Sequence, residues 1–293
     1  MFSGSIPALV TPFRNGSFSE ADYRDLVEWQ IAEGTSALVA CGTTGESATL
    51  TFEEHFEVVR VCVDQTRGRV PVIAGTGSND TQVAIKNNKA ARAAGADAVL
   101  MVPPYYNRPS QEGIFRHFEA VQALCELPII LYNVPARTVT DIQPATMARI
   151  VNAWPETFVA VKDATGDLAR VSLHRQSIKS SFVQISGNDD LALAYNAVGG
   201  RGCISVTANV APKLCAQFQA ACQSGDYAKA LELHDKLFPL HAALFTDASP
   251  GPVKYALGKV KPGYPTELRL PMVGPSEASM AAVDAALAHA GLI

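Results

Sequence analysis

A lysine that directly ends an apolar run can serve chemistry as well as structure. Of the ten lysines in the chain, Lys162 alone closes a purely apolar segment, Phe158-Val-Ala-Val161; the other nine sit in mixed or polar surroundings. Burial disfavours an ammonium, so a lysine at a strand end can have a depressed pKa. The neutral amine can then attack a carbonyl and form an imine. The alternative is a strand-end lysine that snorkels to water. Tyr132 ends another apolar run, Ile129–Tyr132. It could be a neighbour that shuttles protons during imine formation, or a core tyrosine with a satisfied hydroxyl. Gly42-Thr-Thr-Gly-Glu46 offers hydroxyls and backbone N–H groups near a helix start, which suits a carboxylate; as a lone loop it could equally be an ordinary turn. Arg137 could hold a carboxylate in bidentate fashion, or make a surface salt bridge.

These residues need elements to position them. Short apolar runs recur at Ile6–Val10, Ala37–Ala40, Val70–Ala74, Ala98–Val102, Ile129–Tyr132, Phe158–Val161, Val183–Ser186 and Cys203–Val206, with room for one helix in each gap. Short buried strands alternating with helices indicate parallel βαβ units. Eight such units predict an α/β fold, a closed (β/α)8 TIM barrel, in preference to an open doubly wound sheet. Thr51-Phe-Glu-Glu54 reads as a capping box and Asn79-Asp-Thr-Gln82 as a weaker one. Gly34 and Gly95 read as helix C′ residues, and Pro212 as a first-turn proline. Beyond the eighth run, Asp226–Leu244, Val253–Lys259 and Ser276–Ala290 have helical patterns, with a Pro/Gly-rich break at Ser249–Pro252. The expected organisation is a catalytic barrel over residues 1–224 and a C-terminal helical extension over 225–293.

A barrel places its active site at the C-terminal ends of the strands. The segments found there are Thr11-Pro12, Cys41–Ser47, Gly75–Gly77, Pro103–Asn107, Tyr132–Arg137, Lys162-Asp163, Gly187–Asp189, and Ser205 with Thr207. Other chemistries fit poorly. Gly75-Thr-Gly77 begins like a dinucleotide fingerprint, but Asp80 stands at its third glycine. Asp189 and Asp190 would repel a phosphate after strand seven. The six histidines include no HxxxH or HxH pair, so no metal site is expected, and no cofactor. Net charge is −4 without a basic stripe, which argues against nucleic acid and anionic membranes as partners. The six cysteines show no CxxC pair and read as core residues of a reducing compartment. No signal peptide and no apolar run of membrane-spanning length is evident, so a cytoplasmic location is expected.

Together, Gly42-Thr-Thr-Gly-Glu46, Tyr132-Asn-Val-Pro-Ala-Arg137 and Val161-Lys-Asp-Ala-Thr-Gly166 resemble the dihydrodipicolinate synthases. These belong to the pyruvate-dependent class I aldolase group that includes N-acetylneuraminate lyase. The likeness runs nearly end to end. It implies condensation of pyruvate with L-aspartate 4-semialdehyde to 4-hydroxy-tetrahydrodipicolinate, in the diaminopimelate route to lysine. It implies that Lys162 forms the imine, and that Tyr132, Thr43 and Tyr106 relay protons, with Tyr106 reaching in from a neighbouring subunit. Thr43 and Thr44 would bind the pyruvate carboxylate, the carbonyls of Gly187 and Ile204 would shape the site, and Arg137 would anchor the aldehyde's carboxylate. A homotetramer, a dimer of dimers, is implied as well. The alternatives are an aldolase or dehydratase acting on a 2-keto-3-deoxy sugar acid or N-acetylneuraminate, and a catalytically silent paralogue. The departures from the family pattern are Val139, where glycine is usual, and Asn188, where aspartate is usual. Lysine-inhibited members bind the amino acid at a site matched here by Ser47, Ala48, His55, Asn79 and Tyr105. Phe52 and Val83 do not match its histidine and glutamate, so weak or absent inhibition is expected.

Overall fold

The computed structural model describes residues 2–293. Eight strands run Gly4–Pro7 (β1), Leu38–Ala40 (β2), Val72–Gly75 (β3), Ala98–Met101 (β4), Ile129–Asn133 (β5), Phe158–Asp163 (β6), Val183–Ser186 (β7) and Gly202–Ser205 (β8). Strands β2 to β8 pair in parallel with their neighbours in chain order, and β8 pairs with β1 from Gly4↔Gly202 to Pro7↔Ser205. A parallel bridge between Ala8 and Val39 joins β1 to β2. The circle is therefore complete, and the fold is a (β/α)8 barrel with C-terminal helices.

The pleat divides the strand residues between two cores. Ile6, Val39, Ile73, Leu100, Ile130, Ile185 and Ile204 fill the barrel interior. Leu38, Ala40, Val72, Val99, Leu131 and Val161 point outward into a second core shared with the helices. Both faces are apolar because both are covered, which is why the strands read as continuous apolar runs. Helix Phe52–Thr66 starts with the expected capping box: Thr51 Oγ1 accepts from the Glu54 N–H, and the Glu54 carboxylate accepts from the Thr51 N–H. Gly34 and Gly95 adopt φ of 94° and 87°, as helix-terminating glycines do. After helix Pro212–Ser224, helices Tyr227–Ala243, Gly251–Val260 and Glu277–Ala290 follow. Leu233, Leu237 and Leu240 of the first, Val253 and Leu257 of the second and Val283 and Leu287 of the third pack into the outer core.

Some boundaries differ from the sequence reading. β1 begins two residues before Ile6 and stops at Pro7, because Val10 leaves the ladder: its N–H donates to Asn209 Oδ1 at 3.0 Å. Asn209 Nδ2 donates to the Ala8 carbonyl at 2.8 Å, so one side chain ties β1 to the turn after β8. The cap of helix Thr81–Ala93 is Asp80, not Asn79; its carboxylate accepts from the N–H groups of Gln82 and Val83. A short hairpin, Phe13–Arg14 with Ser17–Phe18, follows β1, and a short helix, Pro135–Thr138, follows β5. No helix among the described residues is long and apolar enough to cross a membrane.

Candidate active site

Parallel pairing of β5 with β6 sets Tyr132 opposite Lys162 and Asn133 opposite Asp163. Lys162 thus lies inside β6 rather than beyond its end. It sits two residues after the inward-facing Ala160 and shares that face. Lys162 is 6% exposed and Tyr132 7%, and the Lys162 ammonium nitrogen stands 4.1 Å from the centroid of the Tyr132 ring. The floor around them is apolar, with Ala160 and Ile185 beside them and Ile204 buried on β8.

Gly187, just past β7, provides the remaining space. Its N–H donates to the Asp163 carbonyl at 2.6 Å. A Cβ there would lie 2.8 Å from the Ala164 Cβ and 3.2 Å from Lys162 Cε. Only a residue without a side chain lets β7 approach the lysine this closely.

The loop after β2 carries Thr43, which is exposed, and Thr44, which is buried. Cys41 and Glu46 take left-handed φ of 55° and 53° at its two ends. The loop packs hard against its neighbours. A Cβ on Gly75 would come within 2.1 Å of the Cys41 carbonyl oxygen, and Thr11 Oγ1 donates to the Gly45 carbonyl at 2.7 Å. His55 Nε2 donates to the Gly75 carbonyl at 2.7 Å; burial pushes the His55 pKa down, which leaves the ring a neutral donor.

Above this loop opens a cavity of about 940 Å³ whose walls include Thr43, Val134, Arg137, His55, Ser47 and Tyr105. Neither Lys162 nor Tyr132 is on its wall, so this cavity does not contain the Lys162–Tyr132 pair. Arg137 is exposed on helix Pro135–Thr138, which ends at Val139 with φ of 55°. That backbone is costly for a β-branched residue and is where a glycine would sit without strain. Tyr106 does not reach this chain's own site: it is 89% exposed, with φ of 67°. Of the effector candidates, Ser47, Ala48, His55 and Tyr105 share the cavity wall with Phe52 and Val83. Asn79 is not on that wall; its carbonyl accepts from Asn107 Nδ2 at 2.9 Å. The Lys86 ammonium stands 3.7 Å from the Phe52 ring centroid.

Several buried polar residues escape a reading by strand ends alone. Lys254, grouped with the polar-set lysines above, has no exposed surface and is more buried than Lys162. Its signal was helical period: Lys254 precedes the buried Leu257 by three residues on helix Gly251–Val260. Asp189 is buried too. It accepts from Ser205 Oγ at 2.5 Å, from the Val206 N–H at 2.9 Å and from the Thr207 N–H at 3.2 Å, and so fixes the end of β8.

An eight-stranded barrel with an inward lysine on β6 against a tyrosine on β5 has the make-up of a lysine-imine lyase. The comparisons narrow this. Residues 1–290 match the dihydrodipicolinate synthetase family. A 4-hydroxy-tetrahydrodipicolinate synthase of Rhizorhabdus wittichii is 66% identical over 292 residues, covering 100% of both chains. Among solved structures, the dihydrodipicolinate synthase of Aquifex aeolicus superposes with a TM-score of 0.96 at 39% identity over 99% of both chains. The chloride-inhibited dihydrodipicolinate synthase of Acinetobacter baumannii, solved with pyruvate, superposes at 0.95 with 41% identity over 100% of both. The chain belongs to the dihydrodipicolinate synthetase family.

The space at Gly187 can be tested directly. Gly187→Ala is expected to fold with a loss of about 1–3 kcal/mol, the usual cost of overpacking. By displacing Lys162 it should lower kcat at least tenfold, since misplacement by about an ångström can cost about 10²-fold. Thermal denaturation together with steady-state kinetics checks both; full activity would show that Lys162 has slack the geometry denies.

Proposed function

We propose that this chain condenses pyruvate with L-aspartate 4-semialdehyde to 4-hydroxy-tetrahydrodipicolinate through an imine on Lys162, on the diaminopimelate route to lysine. The observation that carries the reading is the buried Lys162 amine held 4.1 Å from the Tyr132 ring centre. The amine attacks the ketone carbon of pyruvate and water leaves, giving the imine. Loss of a proton from the pyruvate methyl gives an enamine, whose carbon attacks the aldehyde. We assign Tyr132 and Thr43 to the relay of these protons. Thr43 and Thr44, with the N–H groups of their loop, receive the pyruvate carboxylate, and the carbonyls of Gly187 and Ile204 bound the site. Borohydride added with pyruvate should reduce the imine to a stable secondary amine on Lys162, and Lys162→Ala should fold yet lose nearly all activity. Peptide mapping that finds the adduct on another residue, or none, would sink the mechanism.

Arg137 is the residue we assign to the carboxylate of the aldehyde. It lines the large cavity, carries no partner of its own among the described salt bridges, and stands three residues beyond the wall residue Val134. Arg137→Ala is expected to raise KM for the aldehyde much more than KM for pyruvate. Equal rises would show that Arg137 does not read the second substrate.

Tyr106, exposed on a left-handed backbone, is the residue we assign to a neighbouring subunit's proton relay. We also assign a homotetramer, a dimer of dimers, and a cytoplasmic location; sedimentation equilibrium measures the assembly.

Feedback by lysine should be weak or absent. The Val83 side chain offers no acceptor to an incoming ammonium, and the Lys86 cation, though not itself on the wall, stands against the ring of the wall residue Phe52 and adds like charge nearby. A lost hydrogen bond to a charged group weakens binding by about ten- to a hundredfold. Asp80 lies one helical turn before Val83, but its carboxylate already caps the helix. Titrating lysine into the steady-state assay checks this; half-inhibition well below a millimolar would contradict it.

A further inference from the structure

A second lysine, distinct from the imine former, holds the loop that carries Thr43 and Thr44. Glu46 lies two residues beyond Thr44, is 4% exposed, and keeps a left-handed φ of 53°. A glutamate in that region needs something to hold it there. Its Oε1 makes an ion pair with Lys254 Nζ at 2.5 Å, with the two side chains 2% and 0% exposed, and its Oε2 accepts from the Arg269 N–H at 3.1 Å. Lys254 Nζ directs its aligned hydrogen bond to the Glu267 carbonyl at 2.7 Å and stands 4.4 Å from the centroid of the Phe13 ring. Burial lowers the Lys254 pKa and the Glu46 carboxylate opposes the shift, so the pair is mutually dependent. Arg269 adds two bonds to the Glu54 carboxylate, at 2.7 and 2.6 Å, and one to the Thr49 carbonyl at 3.1 Å. One buried charge pair thus joins the loop after β2, helix Gly251–Val260 and the segment 267–269.

We propose that the Glu46–Lys254 ion pair positions the Thr43–Thr44 carboxylate receptor, so that the C-terminal extension sets the affinity for pyruvate. This rests on the reading of Thr43 and Thr44 as the pyruvate-binding hydroxyls. Glu46 and Lys254 are positioning residues; neither need touch substrate. A buried ion pair is seldom more stabilising than apolar side chains of the same volume, so net stability does not account for it. A charge pair does fix one geometry, and this pair fixes it at the base of the receptor.

The double variant E46M/K254M separates the two roles, because it removes the pair without leaving an uncompensated buried charge. It is expected to melt near wild type, with kcat lowered as well because Thr43 also serves the proton relay. Its KM for pyruvate should rise about ten- to a hundredfold, the scale of a misplaced binding group, while KM for the aldehyde moves little. Glu46→Gln retains an acceptor for the Arg269 N–H and should fall between wild type and the double variant. A pyruvate KM within twofold of wild type in whichever of these folds, or parallel rises for both substrates, overturns the proposal. Borohydride trapping of pyruvate on wild-type Lys162 is the control: its failure removes the pyruvate reading itself, and the proposal with it, whereas a normal adduct beside an unchanged KM removes the proposal alone.

Discussion

The alternation of side chains along the barrel strands is the constraint from which the site follows. Only every second residue of a strand enters the interior, and a slip of one residue would exchange the two faces. Ala160 and Lys162 share the inward face of β6, as Ile130 and Tyr132 share that of β5, and the register of the pair then brings lysine and tyrosine into contact. The apolar layer beneath them, with Ile6, Ile73 and Ile204, excludes water from one side of the amine. The other side is left free by Gly187, whose lack of a Cβ is a steric requirement of that same register. Imine chemistry needs an amine that is held still, and strand register with close packing holds this one without any moving part.

The loops above the strands obey a second constraint, the satisfaction of buried polar groups. Asp189 gathers a hydroxyl and two N–H donors after β8, and Asn209 bridges the end of β1 to the turn that follows. Glu46 and Lys254 do the same for the loop after β2, with a charge on each side. Each bond joins segments far apart in the chain, so the mouth of the barrel is braced by long-range contacts rather than by local turn propensity.

Much of this was legible in the sequence, and the rest was hidden for identifiable reasons. Eight apolar runs at helix-sized intervals were enough for the barrel, because both faces of each strand are buried and leave an unmistakable pattern. Lys162 and Tyr132 stood out because each interrupts such a run at the end where barrels do their chemistry. The first strand was misplaced because Leu9 and Val10 are as apolar as Ile6; what ends the ladder is Asn209, almost two hundred residues away. Lys254 was passed over because its neighbours in sequence are mixed, whereas its burial is set by a carboxylate and a carbonyl from two other segments. The resemblance of three motifs pointed to residues for binding and proton transfer, but not to what holds them.

The division of the site into a rigid floor and an open upper cavity has a consequence for specificity. Lys162, Tyr132 and Gly187 are held in place by strand register and close packing. Arg137 instead sits exposed on a four-residue helix that ends in a strained Val139. Thr138 braces that helix by donating to the Thr140 carbonyl at 2.8 Å and, more weakly, to the Val134 carbonyl at 3.1 Å. Residues at such a position can change without cost to the core, because few buried contacts depend on them. On the function we propose, the chemistry of the first substrate is thus built into the fold, and the choice of the second is written on its rim. A barrel so arranged can keep one imine centre while different rims select different aldehydes; on that proposed function, Lys162 and Tyr132 would define the class of reaction and Arg137, with its strained neighbour, the partner to which the enamine is delivered.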